Sequence, residues 1–514
     1  MEAAKSCAPG RSTTAWFDSR RNLFWLHGSA KIGLILAVYM CCFFLPGTVR
    51  ATRLIDRGSL EINSNNVLTL KALLASGGST SHQHGVGMKV FHRDAPLLRE
   101  RKSRQATTLQ NTKAVSILKT DMHTQPGLES TTLRRQEDRV GQYYMPLQIG
   151  SPGRDILVIL DTGSEILWVQ CEPCNECGSQ IIEPVFDPTL SSTYQPLSCN
   201  SQRCLQGGTG FETFCNVSQS LCKYIVQYAD NSTSFGDLSV DTLTINSTSG
   251  SPTAITGFEF GCGHTNFGIE DDLGASGLLG LDRGNNSFIS QISVHFPKVF
   301  FYCFPDRINN LNSSGFIHFG RSYDSQHLKY TPLLQNTASD FLSQFYYINV
   351  TGININGHLL PIPTAAFAID ASGNGGTILD TGTSLSILVD PAFNVLKEAF
   401  LNGTMNLKTL PDPSGNGLDV CYSVSASSSH LPKVPIVEFH LQGEGTKLRL
   451  SAENLLMVAA EDQNQLTLCL AMRSGGAVGM GRNVIGNYQQ ANHIVEVDIE
   501  KSRVGLINAH CPME

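Results

Sequence analysis

Charge is scarce in this 514-residue chain: 16% of residues are Asp, Glu, Lys or Arg, and three are Trp. Long exposed helices and coiled coils are rich in charge, so this content argues against them. With 47 Gly and many Ser, Thr and Asn, the composition points instead to a β-rich, turn-rich body. The apolar run at residues 32–45 (IGLILAVYMCCFFL) has 14 residues, short of the ~20 that span a membrane. Lys and Arg are scarce where most of the chain lies. Residues 139–514 carry 18 of them against 34 Asp+Glu, a net of −16, whereas residues 1–138 carry 19 against 10, a net of +9. An acidic body of this kind is not a nucleic-acid binder. A basic leader on an acidic body reads as two parts that attract.

Cysteine is absent from residues 52–138. Cys7, Cys41 and Cys42 precede that stretch, and twelve follow it: Cys171, Cys174, Cys177, Cys199, Cys204, Cys215, Cys222, Cys262, Cys303, Cys421, Cys469 and Cys511. An even dozen fits up to six disulfides and an oxidising compartment, with the pairing left open. Cys171-x2-Cys174-x2-Cys177 also has a zinc-ligand spacing, but no His is interleaved among the first seven, so no metal or cofactor is expected.

These features divide the chain. Residues 1–51 read as a targeting segment, a secretory signal with cleavage after Ala51 or a signal anchor. A 31-residue preamble keeps an organelle address such as the chloroplast open. Residues 52–138 read as a basic prosegment and linker, with a cationic run from Lys89 to Arg104 and a maturation neighbourhood at Arg134 to Arg139. His92-Arg93-Asp94 superficially matches a kinase catalytic loop, but the remaining kinase motifs are missing. The body is too long for one core. It is expected to form two β-rich lobes, residues 139–330 and 331–514, with few helices, one of them starting at Asp390-Pro391 with Asp390 as cap. Seven Asn-x-Ser/Thr sites, Asn216, Asn231, Asn246, Asn285, Asn312, Asn349 and Asn402, all lie in the body.

What the chain has twice is its centre. ILDTGSEILWVQ carries Asp161, Thr162, Gly163 and Ser164, and ILDTGTSLSIL carries Asp380, Thr381, Gly382 and Thr383, a spacing of 380 − 161 = 219 residues. Leu278-Leu279-Gly280 and Val484-Ile485-Gly486 form a second doubled element. One Asp-Thr-Gly is an ordinary turn; two in matched contexts imply a carboxylate from each lobe meeting at an interface. Such a pair shares one proton, because like charges at close range cannot both ionise. It then holds both an acid and a base for splitting an amide with water. Gly163 and Gly382 would allow tight turns, and Ser164 and Thr383 would donate to the outer carboxylate oxygens.

The body resembles the pepsin-type aspartic proteases, specifically their nepenthesin-like plant branch. The carriers are DTGSEILWVQC, CEPCNEC followed by VFDPTLSSTYQPLSC, FGCGHTNFG, GLLGLDRG, DTGT and VIGNYQQ, with FHRDAP in the leader. The resemblance implies a mainly β, bilobal fold with the active site between the lobes. It implies Asp161 and Asp380 as catalytic pair, Trp168 behind the flap, and Tyr228 as the flap tyrosine. It also implies an aspartic endopeptidase acting on polypeptide substrates at acidic pH, without cofactor. Such an enzyme is made as a zymogen whose prosegment is an intramolecular inhibitor. It would be monomeric, and secreted to the apoplast or vacuolar. One departure stands out. The flap pattern Tyr-Gly-Asp-Gly-Ser is here Tyr228-Ala229-Asp230-Asn231-Ser232, and left-handed backbone favours Gly, tolerates Asn and disfavours Ala. The competing reading is a non-catalytic binding or inhibitor protein on the same scaffold.

Overall fold

The computed structural model describes residues 86–92 and 141–511, except 181–183, 247–251, 269–273, 309–313, 321–327, 416, 427, 429 and 463, and the backbone of 68–69. The targeting segment, Ala51, Cys7, Cys41, Cys42, residues 93–138 with most of the cationic run, Arg139 and Asn312 lie outside them.

The leader contributes the first strand used here, β1 (Val86–His92). Its alternation places Val86, Met88 and Val90 inward and exposes Lys89, as a strand with one buried face must. The body opens with an antiparallel hairpin, β2 (Tyr143–Ile149) and β3 (Arg154–Asp161), turning at Gly150 to Gly153 where the Ser-Pro-Gly signal predicts it. From Ile156 onward β3 is buried on both faces, which its unbroken apolar run Ile156–Leu160 requires. The first lobe continues with β4 (Trp168–Gln170), β5 (Leu221–Gln227), the long β6 (Thr233–Ile245) and β7 (Thr253–Phe267), and β8 (Gly277–Gly280). β8 lies parallel to β3, with Gly280 opposite Asp161, and antiparallel to β4.

Three further strands, β9 (Val299–Cys303), β10 (Gly315–Phe319) and β11 (Lys329–Leu334), lead into the second lobe. There β12 (Tyr346–Ile348), β13 (Thr377–Leu379), β14 (Ser386–Leu388) and β15 (Asn483–Ile485) repeat the first-lobe plan. β15 is parallel to β13 and antiparallel to β14, as β8 is to β3 and β4. The chain closes with β16 (His493–Asp498) and β17 (Arg503–His510). A central layer joins the lobes, in the order β10, β9, β16, β17, β11. β1 pairs with β10 along five residues and with β2 along two, so the leader strand connects this layer to the first-lobe sheet.

The expected helix is α1 (Asp390–Gly403), with Pro391 in its first turn. Ala392, Phe393, Leu396 and Phe400 form its buried stripe. Asp390 is not the capping side chain. Its carboxylate instead accepts from Gly476 N at 2.9 Å and from the Ser474 hydroxyl, fastening the helix start to a neighbouring loop. All twelve body cysteines are paired: Cys171–Cys262, Cys174–Cys177, Cys199–Cys215, Cys204–Cys222, Cys303–Cys511 and Cys421–Cys469. The pairing that spacing left open is therefore local inside each lobe, apart from Cys303–Cys511, which ties β9 to the end of the chain.

Candidate active site

Asp161 ends β3 and Asp380 directly follows β13, so two buried strands deliver the carboxylates to the lobe boundary. Each is held by the same two donors. Gly163 N donates to Asp161 Oδ1 at 2.8 Å and Ser164 Oγ to Oδ2 at 2.6 Å. Gly382 N donates to Asp380 Oδ1 at 2.9 Å and Thr383 Oγ1 to Oδ2 at 2.6 Å. The two carboxylates line one cleft, each lying against the other lobe's glycine. Burial first, and then the neighbouring Asp380, raise the pKa of Asp161 above the carboxylate range, while Ser164 and Gly163 oppose the shift.

The glycines lie in the expected turns and do something more. Neither Gly163 nor Gly382 has a positive φ. What they supply is room: a β-carbon on Gly163 would lie 2.8 Å from Asp380 Oδ1, and one on Gly382 would press still closer on Asp161.

The threonines between each Asp and Gly did not stand out in the sequence, and they lock the lobes. Thr162 N donates to Thr381 Oγ1 at 3.0 Å, and Thr381 N returns a bond to Thr162 Oγ1 at 2.9 Å. Their hydroxyls donate across the interface to Leu379 O at 3.2 Å and Leu160 O at 3.0 Å. The doubled threonine was the available signal. NYQQ, after the second apolar-apolar-Gly, was another. Asn487 Nδ2 donates to Thr381 O at 2.8 Å, and Gln490 Nε2 to Ile485 O at 2.7 Å and to Asp380 O at 3.3 Å. The Gly141 carbonyl accepts from Arg307 Nη2 at 2.8 Å, and from Asn487 Nδ2 and Ser384 Oγ, both at 3.2 Å, just before the chain enters the cleft.

Glu165 was also missed. It is buried with no cation paired to it among the described residues, and its carboxylate collects the backbone N–H groups of Thr209 and Gly210 at 2.9 Å and Asn286 at 3.0 Å, and Gln344 Nε2 at 3.1 Å. With the Thr209 hydroxyl at 3.3 Å, five donors meet the oxygens of this buried side chain, so its polar atoms are not left unpaired. Burial and the Glu165 charge push the neighbouring Asp282 well above the ordinary carboxylate range.

Above the pair is a cleft of about 300 Å³ lined by Asp161, Asp380, Gln142, Leu278, Tyr228 and Ala229 among others. The hairpin between β5 and β6 overhangs it. Tyr228 N donates to Ser232 O at 2.9 Å and Asn231 N to Tyr228 O at 3.0 Å, while Asp230 Oδ1 accepts from Ser232 Oγ at 2.6 Å. Trp168 Nε1 donates to the Tyr228 hydroxyl at 2.7 Å. Burial, and then the charge of Asp161, raise the Tyr228 phenol well above its usual range. The altered tip carries no strain at alanine: Asn231 alone takes the left-handed conformation, at φ 68°, and Ala229 does not. Asn231, Asn246, Asn285 and Asn402 are exposed, whereas Asn216 and Asn349 are half-buried. The sequon hydroxyls of Ser287 and Thr404 are buried.

Among the described residues, one metal-like cluster occurs, Asp412 with Cys421 and Cys469, and both of its sulfurs are consumed by a disulfide.

Two lobes of one plan, each ending a buried strand in Asp-Thr-Gly at a shared cleft, define the bilobal class to which pepsin belongs. Residues 143–321 match the family described as xylanase inhibitor N-terminal, and residues 345–507 the family described as xylanase inhibitor C-terminal. Aspartyl protease family protein 2 of Arabidopsis thaliana is 37% identical over 386 residues, 75% of this chain and 74% of its own length. Aspartic proteinase nepenthesin-1 of Nepenthes gracilis is 33% identical over 72% of this chain and 78% of its own. Among solved structures, that of edgp superimposes with a TM-score of 0.60 at 21% identity, covering 84% of this chain and 96% of the other. Basic 7S globulin from soybean gives 0.55 at 22%, covering 74% and 96%. The chain belongs to the pepsin-like aspartic protease family, alongside its nepenthesin-like plant members.

Proposed function

We propose that this protein is an aspartic endopeptidase, with Asp161 and Asp380 as its catalytic pair. The observation that carries the reading is the matched holding of both carboxylates, each by a glycine N–H and a hydroxyl, beneath an open cleft. With one proton between them, the carboxyl that holds it donates a hydrogen bond to the scissile carbonyl. The ionised partner takes a proton from a water as its oxygen bonds to the carbonyl carbon. The carbonyl oxygen receives the acid's proton, giving a tetrahedral diol. The C–N bond then breaks as a proton passes to the leaving nitrogen, and the carbonyl re-forms as a carboxylic acid. The elevated pKa of Asp161 keeps that shared proton in place at acidic pH. Tyr228, braced by Trp168, closes over the bound peptide.

In this reading the protein is a monomer made as a zymogen with a cleavable signal, and it works in the apoplast or vacuole. Six disulfides fit an oxidising route, and no helix among the described residues is long and apolar enough to cross a membrane. The prosegment, residues 52–138 with 13 Lys+Arg against 8 Asp+Glu (13 − 8 = +5), serves as the intramolecular inhibitor of the acidic body.

The second reading, a binding or inhibitor protein, has the descriptions of both matching families in its favour. The intact pair and its donors favour catalysis over it. The deciding experiment is cleavage of a denatured protein at acidic pH. Pepstatin-sensitive cleavage that disappears in Asp161→Asn supports the peptidase; no cleavage by the matured wild type leaves the binding reading standing.

A further inference from the structure

Residues 86–92 belong to the leader by sequence, yet their strand sits in the interior of the fold. Val86, Met88 and Val90 are 2%, 2% and 0% exposed, and all three belong to the main core. The backbone pairs on both sides, Val90 to Val86 against Gly315 to Phe319, and Phe91 and His92 against Tyr144 and Tyr143. Among the described residues, no other strand pairs with both the central layer and the first-lobe sheet.

The fit at the C-terminal end of the strand is built from two glycines of the body. Gly315 has no room for a β-carbon, which would meet Val90 Cγ2 at 3.0 Å as well as the Cys303 carbonyl. Two residues further on, the His92 imidazole fills the space where a side chain on Gly141 would stand, and it meets the Tyr143 ring edge-on at 5.4 Å. Gly141 is the residue whose carbonyl Arg307, Asn487 and Ser384 hold at the cleft entrance. The strand thus abuts the anchored start of the body.

We propose that residues 86–92 stay in the working protein as this central β-strand, held by the fold alone once the chain is cut downstream. Cutting near Arg134 to Arg139 would leave a body beginning at about RQEDRVGQ, whose polar residues cannot replace Val86, Met88 and Val90 in the core. Losing the strand would also open unpaired edges on β10 and β2 at once, the kind of site that captures any available extended segment. The best-fitting segment is the one already seated. Residues 52–138 contain no cysteine, so no disulfide can tether it. The inference rests on the zymogen reading only for the existence of a downstream cut.

The test is native trypsin digestion of the full-length protein, which opens the Lys- and Arg-rich linker, followed by gel filtration at acidic pH. Mass spectrometry after denaturation without reductant then identifies what travelled with the body. A peptide spanning Val86 to His92, uncut at Lys89 and recovered in equal amount with the body, is the expected result. A body that elutes alone and still folded, by circular dichroism, overturns the proposal. As a second variant, Met88→Asp places a charge in the core; it is expected to release the peptide at least ~10-fold faster than wild type, with Met88→Leu retaining it. Equal retention in Met88→Asp and wild type also overturns it. Retention is read by mass and needs no catalysis, so a chain that cleaves nothing sinks the peptidase reading while leaving this test intact.

Discussion

Gly382 faces Asp161 so closely that a β-carbon on the glycine would collide with the carboxylate, and Gly163 stands in the same relation to Asp380. Each lobe's glycine makes space for the other lobe's acid. Gly163→Ala and Gly382→Ala should therefore fold but force the carboxylates apart. Because small misplacement at a reacting centre is costly, kcat should fall by ~100-fold or more in each variant. The check is kcat together with thermal unfolding: unchanged activity in either would show that the contact is not needed, and loss of folding would show that it is structural.

The flap makes a prediction that separates its two unusual residues. Only Asn231 is left-handed, so Asn231→Gly should preserve activity, whereas Asn231→Ala should cost about 1–2 kcal/mol in the hairpin. Ala229→Gly should bring no gain, because nothing at Ala229 is strained. Comparing kcat/KM across the three variants tests the assignment, and an Ala229→Gly enzyme faster than wild type would contradict it. Tyr228→Phe should leave Trp168 Nε1 without its partner and lower kcat/KM by ~10-fold, in line with an unmet buried donor.

Thr162 and Thr381 exchange backbone and hydroxyl bonds across the lobes, and each hydroxyl has both a donor and an acceptor. Valine is close in shape and can do neither. Thr162→Val and Thr381→Val should each destabilise the protein by about 1–3 kcal/mol. The double variant should cost less than the sum of the two, since the first change already leaves the partner unsatisfied. Urea unfolding of the four proteins gives the coupling, and strict additivity would mean the two threonines act independently.

The paired carboxylates and the two-lobe plan were legible because they are encoded as a repeat: Asp161 and Asp380, with Leu278 to Gly280 and Val484 to Gly486, announce themselves twice in one chain. Trp168 and Tyr228 came from resemblance, and they do meet. What could not be read is what depends on distant partners. Glu165 looks like a surface acid until the loops at 209–210 and 286 supply its donors. Gly163 and Gly382 were readable as turn glycines, but not as the space for the opposite acid, because the sequence does not show what lies across the interface. The strand at 86–92 was hidden by composition, since the basic leader around it outweighed the alternation of Val86, Met88 and Val90.

The pH dependence of stability follows from Asp161. Its pKa is higher in the folded protein than in an unfolded chain, so between those two values the folded state binds more protons. Stability then falls as pH rises through that interval, because ionising the buried acid beside Asp380 works against the fold. Below the unfolded value near 4 both states are protonated and the effect is fully relieved. Each tenfold tightening of the proton by folding is worth about 1.4 kcal/mol. Asp161→Asn, which cannot ionise, should therefore be more stable than wild type at neutral pH, with the gap closing toward pH 4. Thermal unfolding of both proteins from pH 3 to 8, without an active-site ligand and with the chain checked intact by mass spectrometry, measures the gap. A constant difference across that range would mean that Asp161 titrates alike in the folded and unfolded chains, and the shared proton of the pair would then lose its physical basis.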